Sequence, residues 1–338
     1  MHAENKATAE AFQGHNGYHR MFAKGRLTIG LFLPLRFYRH DMTVLHGQAD
    51  LVAEADRRGF AAVWVRDIPL FDPHFGDAGQ IFDPFVYLAY LAAQTKCIAL
   101  VTGSIILPLR HPIDLAKSAA SVDRLSGGRL VLGVAAGDRP SEFPAYGVAI
   151  EERADRFRKT MEQLRQLLDT DDAQPSFPSI LAEGLEVLPK PVIGRLPLLV
   201  TGSCGQSMDW IAREADGWLT YPGKTDAADG AKALGAKIAN WRTRLPDGVF
   251  RPHITNEWLD LVDDRSHPRT ALDGGRVLRT GVNGLLDLLA EWREVGVNHA
   301  ALGIQFSSRP PAEIIQQLAE DVLPHFPSLA ASPAWSHW

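Results

Sequence analysis

The chain has 338 residues, of which 46% are hydrophobic and 22% are charged, as is ordinary for a compact soluble protein. A formal net charge of −5 gives no electrostatic reason to expect nucleic acid as a partner, and no apolar segment approaches the roughly 20 residues that cross a bilayer. The two cysteines, Cys97 and Cys204, form neither a disulfide framework nor a zinc-binding pattern, so a cytoplasmic setting without a membrane partner is expected.

Short apolar segments alternate with amphipathic helical segments from residue 27 almost to the end of the chain. The predicted strands cover residues 27–34, 60–67, 97–107, 129–137, 196–203, 217–222, 253–262 and 299–306. A helical pattern follows each strand; the first ends at Gly59, and the second has Pro84 in its first turn. Two irregular stretches interrupt the alternation. One follows the fourth helix and has a Pro- and Gly-rich composition compatible with a hairpin, and the other follows the seventh strand.

Eight strand–helix units predict an α/β fold with a single (β/α)8 TIM barrel. Strands that alternate with helices pair in parallel through right-handed crossovers, and eight such units close a barrel of roughly 250 residues. Insertions after helix 4 and after strand 7 account for the extra length. We expect an N-terminal arm at residues 1–26, the barrel at 27–326 and a C-terminal tail at 327–338. The alternative is a doubly wound open sheet, whose G-x-G-x-x-G fingerprint is missing after the first predicted strand.

In a TIM barrel the active site lies at the carboxyl ends of the strands and in the loops beyond them. This rule selects the candidate site residues, which are 33–34, 66–67, 102–104, 137–142, 202–207, Tyr221, 256–257, Gln305 and Arg309. Asp67 either serves the chemistry or caps the segment that follows it. The charges of Asp138, Arg139 and Glu142 are compatible with a solvated loop. The histidines lack a metal-ligand spacing, so no metal site is predicted.

The segment "LLVTGSCGQSMDW" combines a buried strand, a Gly- and Ser-containing loop and the start of a helix. Free backbone N–H groups and the helix dipole make such a start a possible anion site. The other interpretation is that Ser203 or Ser207 only caps the helix. Cys204 is expected to be a small space-filling residue. From the spacing alone the two interpretations of the loop stay open.

Residues 102–148 carry several short motifs in a fixed order. These are Thr102-Gly103-Ser104, His111-Pro112, Asp123 with Leu125-Ser126, Gly128-Arg129, Leu132-Gly133-Val134, and Glu142 with Tyr146-Gly147. In this combination the sequence resembles the bacterial luciferase-like flavin monooxygenase family. The resemblance extends over roughly residues 27–325 and includes "FVYLAYLAAQT" and "AREADGW".

The resemblance implies that a flavin, FMN or in some branches a deazaflavin, binds at the carboxyl-terminal mouth of the same barrel. The ring would lie on the third strand, where a cis peptide bond is implied between Gly103 and Ser104, with Thr102 and Ser104 at the ring edge. The phosphate would lie at Gly202, Ser203, Gln206 and Ser207. Gly137 and Tyr221, at the ends of the fourth and sixth strands, complete the predicted cofactor-binding set.

This chain departs from the luciferase pattern at two positions. Ile68-Pro69 replaces a histidine after the acidic residue of the second strand, and Ala136 replaces a phosphate-binding arginine after the fourth. Flavin binding then requires another cation, for which Arg139 and Arg309 are candidates. Light emission is not implied.

The resulting hypothesis is an FMN-using monooxygenase that inserts oxygen from O2 into a small organic substrate. Asp67 and Ser104 are the predicted catalytic residues. Because nothing resembles a nicotinamide-binding domain, a separate reductase is expected to supply the reduced flavin. The alternatives are a deazaflavin-dependent dehydrogenase and a non-catalytic flavin-binding protein.

Family members commonly form homodimers, and the helices near residues 84–95 and 113–125 are the expected contact. The two insertions are expected to shape the substrate pocket.

Overall fold

A closed barrel of eight parallel strands forms the centre of the molecule, and the predicted (β/α)8 fold is confirmed. The computed structural model describes residues 12–36, 46–72, 74–75, 81–170, 184–227 and 229–329. Its strands are β1 Thr28–Phe32, β2 Ala62–Val65, β3 Ala99–Thr102, β4 Ile105–Ile106, β5 Leu130–Ala135, β6 Leu198–Thr201, β7 Gly217–Leu219, β8 His253–Leu261, β9 Thr270–Leu272, β10 Val277–Thr280 and β11 His299–Gly303. The barrel order is β1-β2-β3-β5-β6-β7-β8-β11, and β11 pairs with β1 to close it.

Helices surround the barrel. They are α1 Asn16–Met21, α2 Gln48–Arg58, α3 Pro84–Gln94, α4 Pro112–Ser126, α5 Glu142–Ala145, α6 Arg153–Leu168, α7 Met208–Glu214, α8 Gly230–Arg242, α9 Val282–Glu294 and α10 Pro311–Gln317. Their ends follow local chemistry. The Asp83 carboxylate accepts hydrogen bonds from two N–H groups of the first turn of α3, and Gly127 ends α4 in the left-handed conformation, with φ of 69°. Among the described helices, none combines the length and hydropathy needed to cross a membrane.

The predicted third strand, residues 97–107, is divided into β3 and β4. Both segments pair with β5, so the second continues the path of the first along the barrel wall. The Gly103–Ser104 peptide bond between them is cis, as the resemblance implied. The interruption lies at the carboxyl-terminal mouth of the barrel.

Residues 12–22 cover the amino-terminal end of the barrel. Gly17 donates a backbone hydrogen bond to Gly128, and the Arg20 guanidinium donates to the Phe60 carbonyl. Gly17 lies so close to Arg129 that a Cβ would come within 2.4 Å of its carbonyl oxygen. Four buried apolar side chains of this segment pack against the barrel interior, namely Phe12, Tyr18, Met21 and Phe22. This end of the barrel is therefore closed, and the opposite end is left for a site.

The stretch after β8 is more regular than the sequence indicated. Strands β9 and β10 form an antiparallel hairpin, and β10 extends the sheet by pairing in parallel with residues 258–261 of β8. Gly274 and Gly275, both with positive φ, make the turn. The hairpin therefore forms a wall beside the barrel mouth. The other hairpin considered in the sequence analysis lies in residues 170–195, half of which, 171–183, are outside the described residues; the described half, 184–195, contains no strand.

Candidate active site

A cleft of about 270 Å3 opens at the carboxyl-terminal mouth of the barrel, and we call it the main cleft. Seven of the ten predicted catalytic and cofactor-binding residues line it, namely Asp67, Gly103, Ser104, Gly137, Gly202, Ser203 and Tyr221. Three others, Thr102, Gln206 and Ser207, are not among its lining residues in the described part of the chain. Side chains from β1, β7 and β8, including Phe32, Leu219 and Trp258, supply apolar walls that the sequence did not single out.

A pair of hydroxyl groups connects the third and fifth barrel strands across the floor of the main cleft. The Oγ of Ser104 lies 2.6 Å from the Oγ1 of Thr201. The sequence Thr-Gly-Ser occurs at both strand ends, as residues 102–104 and 201–203, and this repeat was the available signal for Thr201. Thr102 has a different role, because its buried hydroxyl donates to the Gly133 carbonyl, 2.8 Å away, and joins β3 to β5.

Packing inside the barrel leaves no room for a side chain at Gly103. A Cβ at this position would lie 2.7 Å from Cζ of Phe32 and 3.0 Å from Cε3 of Trp64. Its N–H donates to the Val65 carbonyl, so the backbone stays in the sheet up to the mouth. Two interior rings therefore pack directly beneath the backbone of the cleft floor.

The β6–α7 loop, residues 202–207, forms one end of the main cleft and is fixed to α6. Gln206 donates to the Ala154 carbonyl and accepts two hydrogen bonds from Arg158. Gly205, with φ of 73°, packs against Ala154 where a Cβ would come within 2.6 Å. Ser207 accepts a hydrogen bond from the Trp210 N–H and caps α7. The Gln206 and Ser207 side chains thus hold the loop in place, and Gly202 and Ser203 face the cleft.

Arg153, the first residue of α6, is the cation at this end of the main cleft. It lines the cleft together with residues 202–205 of the loop, and its guanidinium lies 3.4 Å from the Gly137 carbonyl. Arg309, one of the two candidates from sequence, instead forms an ion pair with Asp263 and a hydrogen bond with Gln317. The sequence missed Arg153 because a helix start does not reveal which neighbouring loop it faces.

Asp67 lies at the rim of the main cleft with its carboxylate fully engaged. Arg110 donates to both carboxylate oxygens, at 2.6 and 3.0 Å, and the Ile106 N–H donates to one of them at 3.0 Å. The Asp67 side chain is 1% exposed and the Arg110 side chain 26%. The pair connects the end of β2 to β4 and to the start of α4.

Buried charges surround the middle of the main cleft. Burial lowers the pKa of Arg66 to about 10, and burial together with Arg66 lowers the pKa of Arg139. Arg139 lies 3.4 Å from the Glu142 carboxylate, whose pKa is raised by burial. The Arg66 guanidinium stays charged at neutral pH. Residues 138–142 are therefore partly buried in the site, and the solvated-loop interpretation holds only for exposed Asp138.

Cys204 is a neutral thiol within the β6–α7 loop and lines the main cleft. Burial raises its pKa to about 12, and its Sγ donates to the Thr201 carbonyl at 3.1 Å. Two histidines are fully buried, His299 in the barrel interior and His253 between β8 and the Trp241 ring of α8, and burial lowers both pKa values to about 3. No group of three or more metal-ligating side chains occurs within the described ranges.

A second cavity of about 350 Å3 adjoins the main cleft, and we call it the side cavity. The two share Arg66, Asp138, Tyr221, Asn256 and Trp258. The hairpin turn contributes Gly275 and Arg276 to the side cavity, so the insertion after β8 does form part of a pocket wall. A bound molecule could therefore occupy the main cleft while a second one lies beside it.

Comparison with known proteins gives a consistent result. The profile of the luciferase-like monooxygenases matches residues 27–247. The chain is 32% identical over 281 residues to the 4-hydroxyprotoasukamycin monooxygenase of Streptomyces nodosus subsp. asukaensis, covering 72% of this chain and 74% of that one. It is 29% identical over 247 residues to the F420-dependent hydroxymycolic acid dehydrogenase of Mycobacterium tuberculosis, covering 72% and 65%.

Among solved structures, the fold is similar to the monooxygenase RslO1 from Streptomyces bottropensis. The TM-score is 0.70 at 20% identity, and the alignment covers 88% of this chain and 99% of that one. At this identity the similarity supports the barrel fold alone. The profile match spans well over half of the chain and agrees with the motifs, the barrel and the cis peptide bond in the cleft floor. The chain belongs to the luciferase-like monooxygenase family of flavin-dependent oxidoreductases.

Proposed function

We propose that this protein is an FMN-using monooxygenase that acts on a small organic substrate with O2. The observation that carries the proposal is the main cleft, which has a cation and a Gly-rich loop at one end and a hydroxyl pair between apolar walls in the middle. Arg153 and the backbone of residues 202–205 suit a phosphate group. Phe32, Leu219 and Ile106 suit the faces of a flat ring. These residues fit FMN.

In this proposal the protein binds, orients and shields the reacting groups. When bound, reduced FMN supplies the electrons that activate O2. The Ser104 and Thr201 hydroxyls hold the polar edge of the ring through hydrogen bonds, and the Asp67–Arg110 pair holds the cleft rim. The apolar walls exclude water from the reacting centre, which strengthens every polar contact inside it. The described residues form one barrel and include no separate domain that could bind a nicotinamide nucleotide. This supports the proposal that a separate reductase supplies the reduced flavin.

A deazaflavin-dependent dehydrogenase is the second candidate, favoured by the similarity to a dehydrogenase that uses such a cofactor. The two candidates differ in the cofactor bound and in the need for O2. Equilibrium titration with FMN and with the deazaflavin, followed by flavin fluorescence, separates them. Saturable binding of FMN but not of the deazaflavin supports the monooxygenase, and the reverse result contradicts it. Binding of either cofactor without turnover under any reductant would support a binding protein.

Replacement of Arg153 tests the proposed phosphate end of the cleft. Arg153→Ala should weaken FMN binding by about 10- to 100-fold, because a charge-assisted hydrogen bond contributes roughly 1.5–3 kcal/mol. Riboflavin, which lacks the phosphate, should bind the variant and the unchanged protein equally. The matched control is Arg156→Ala on the same helix, whose side chain is paired with Glu152 on the surface. Equal loss of FMN and riboflavin binding would contradict the assignment.

The exposed face of α3 supports a homodimer, which we propose as the assembly. Phe82, Val86 and Tyr90 recur every four residues and are 44%, 70% and 54% exposed. Val86 and Tyr90 on one face of α3, together with Phe82 just before the helix, form an apolar patch that a second copy of the chain would cover.

A further inference from the structure

The side cavity is placed to receive the substrate of the reaction proposed above. Trp258 forms the boundary between the two cavities, because it lines both of them. The Trp258 ring packs against Gly303 of β11. A Cβ added at Gly303 would come within 2.0 Å of Cε3 of this ring. Trp258 is therefore held by the barrel wall, and a molecule in the side cavity lies directly beside the contents of the main cleft.

The lining of the side cavity is aromatic, and its charges are balanced. Phe75, Trp258 and Phe306 contribute rings, and the Trp258 and Phe306 centroids are 6.0 Å apart. The guanidiniums of Arg66 and Arg276 lie over the rings of Trp258 and Phe306, at 5.8 and 5.5 Å. Their charges are offset by Asp138 on the cavity wall, which acts electrostatically on Arg66, and by Asp273, which is paired with Arg276. Aromatic walls without excess charge favour a neutral, largely apolar molecule.

Glu257 is a buried polar group in this lining with unused hydrogen-bonding capacity. The residue is 5% exposed, and its Oε2 has no hydrogen-bond partner among the described residues. Thr225 hydrogen-bonds the same carboxyl group. Asn256 and Trp258 line both cavities, whereas Glu257, which points to the other side of the strand, lines the side cavity only. An unpartnered carboxyl oxygen in a buried site is costly unless a ligand pairs with it.

We propose that the side cavity binds a neutral aromatic or alicyclic substrate and that Glu257 donates a hydrogen bond to a carbonyl or hydroxyl oxygen of that substrate. The proposal rests on the proposed function for the identity of the reaction, but its binding test does not require turnover. Glu257 is thereby assigned as a specificity-determining residue that the sequence named only as a strand-end candidate.

The surroundings of Glu257 keep its carboxyl group protonated. Burial raises its pKa to about 8, with a further contribution from Asp226 in the loop after β7. The charged groups that line the cavity with it are Arg66, Asp138 and Arg276. At neutral pH the carboxyl group therefore has a proton to donate, and above about pH 8 it loses that proton.

Three small probes test the proposal by ligand-observed NMR titration of the full chain. Acetophenone has an aromatic ring and a carbonyl oxygen, ethylbenzene lacks the oxygen, and benzoate carries a charge. We expect acetophenone to bind about tenfold more tightly than ethylbenzene, the loss typical of one unmade hydrogen bond in a buried site. We expect benzoate to bind more weakly than acetophenone. Equal binding of acetophenone and ethylbenzene, or tighter binding of benzoate, would overturn the proposal.

Variants of Glu257 assign the effect to this side chain. Glu257→Leu should remove the preference for acetophenone, and Glu257→Gln, which keeps an N–H donor, should retain it. Acetophenone binding should weaken above about pH 8 in the unchanged protein but not in Glu257→Gln. Asp226→Asn, a nearby exposed acidic residue, is the matched control and should keep the preference. Retention of the preference in Glu257→Leu would refute the assignment.

FMN titration of the same samples separates failure of this proposal from failure of the proposed function. FMN binding with no probe selectivity contradicts only the role of Glu257. Probe selectivity that depends on Glu257, in a protein that binds no flavin, contradicts the proposed function and leaves the cavity assignment standing.

Discussion

Asp67 illustrates how a side chain in a catalytic position can be committed to other contacts. Its two carboxylate oxygens accept three hydrogen bonds, two of them from the Arg110 guanidinium. These contacts fix the end of β2 against β4, so the Ser104 hydroxyl, directly before β4, keeps its position in the cleft floor. A catalytic role for Asp67 stays a prediction, and the contacts indicate that it positions the rim.

The interior packing under Gly103 leads to a prediction about stability. Gly103→Ala should lower the free energy of unfolding by about 1–3 kcal/mol, because the new methyl group overlaps the rings of Phe32 and Trp64. Phe32→Leu makes room, so the double variant should lose less than the sum of the two single changes. Urea denaturation of the four proteins measures this coupling. Additive losses, or a Gly103→Ala variant as stable as the unchanged protein, would refute the packing argument.

At the scale of elements, sequence patterns correctly predicted the strands and helix starts that depend on residues close together in the chain. Apart from β8, the barrel strands are short and mainly apolar, and the helix starts at Pro84 and Pro112 carry capping residues directly before them. The hairpin of β9 and β10 was missed because its strands are three and four residues long, β9 is largely unburied, and β10 pairs with a strand about 19 residues away. Arg153 and Thr201 were missed because their roles depend on which loops meet in space.

The exposed face of α3 leads to a prediction at the same scale. Val86→Glu combined with Tyr90→Glu should convert the proposed homodimer to a monomer, because the two charges would be buried without partners at the interface. Sedimentation velocity at several protein concentrations measures the change. Leu185→Glu, which alters an exposed apolar residue outside α3, is the control and should leave the assembly unchanged. A monomeric unchanged protein would refute the homodimer.

At the scale of the whole molecule, folding keeps two buried imidazoles neutral, one inside the barrel and one between the barrel wall and α8. The His299 ring lies within 2.7 Å of the Thr28 hydroxyl and accepts a hydrogen bond from the Trp64 indole N–H at 3.0 Å. His253 hydrogen-bonds Thr220 at 3.0 Å. Both pKa values fall from 6.5 to about 3 because burial excludes the charged form. Between pH 6.5 and 3 the unfolded chain therefore binds more protons than the folded one.

This difference in proton binding predicts a loss of stability in acid. Because the excess protons are on the unfolded side, the free energy of unfolding falls as the pH drops below 6.5, by about 1.4 kcal/mol per pH unit for each imidazole. In His299→Gln the amide oxygen can still accept the hydrogen bond from Trp64. Between pH 6 and 4, the free energy of unfolding of this variant should fall less steeply with decreasing pH than that of the unchanged protein, by about 1.4 kcal/mol per pH unit. Urea denaturation across this range measures both slopes. Equal slopes in the two proteins would show that His299 is protonated in the folded barrel, and its interior hydrogen bonds would then need a different assignment.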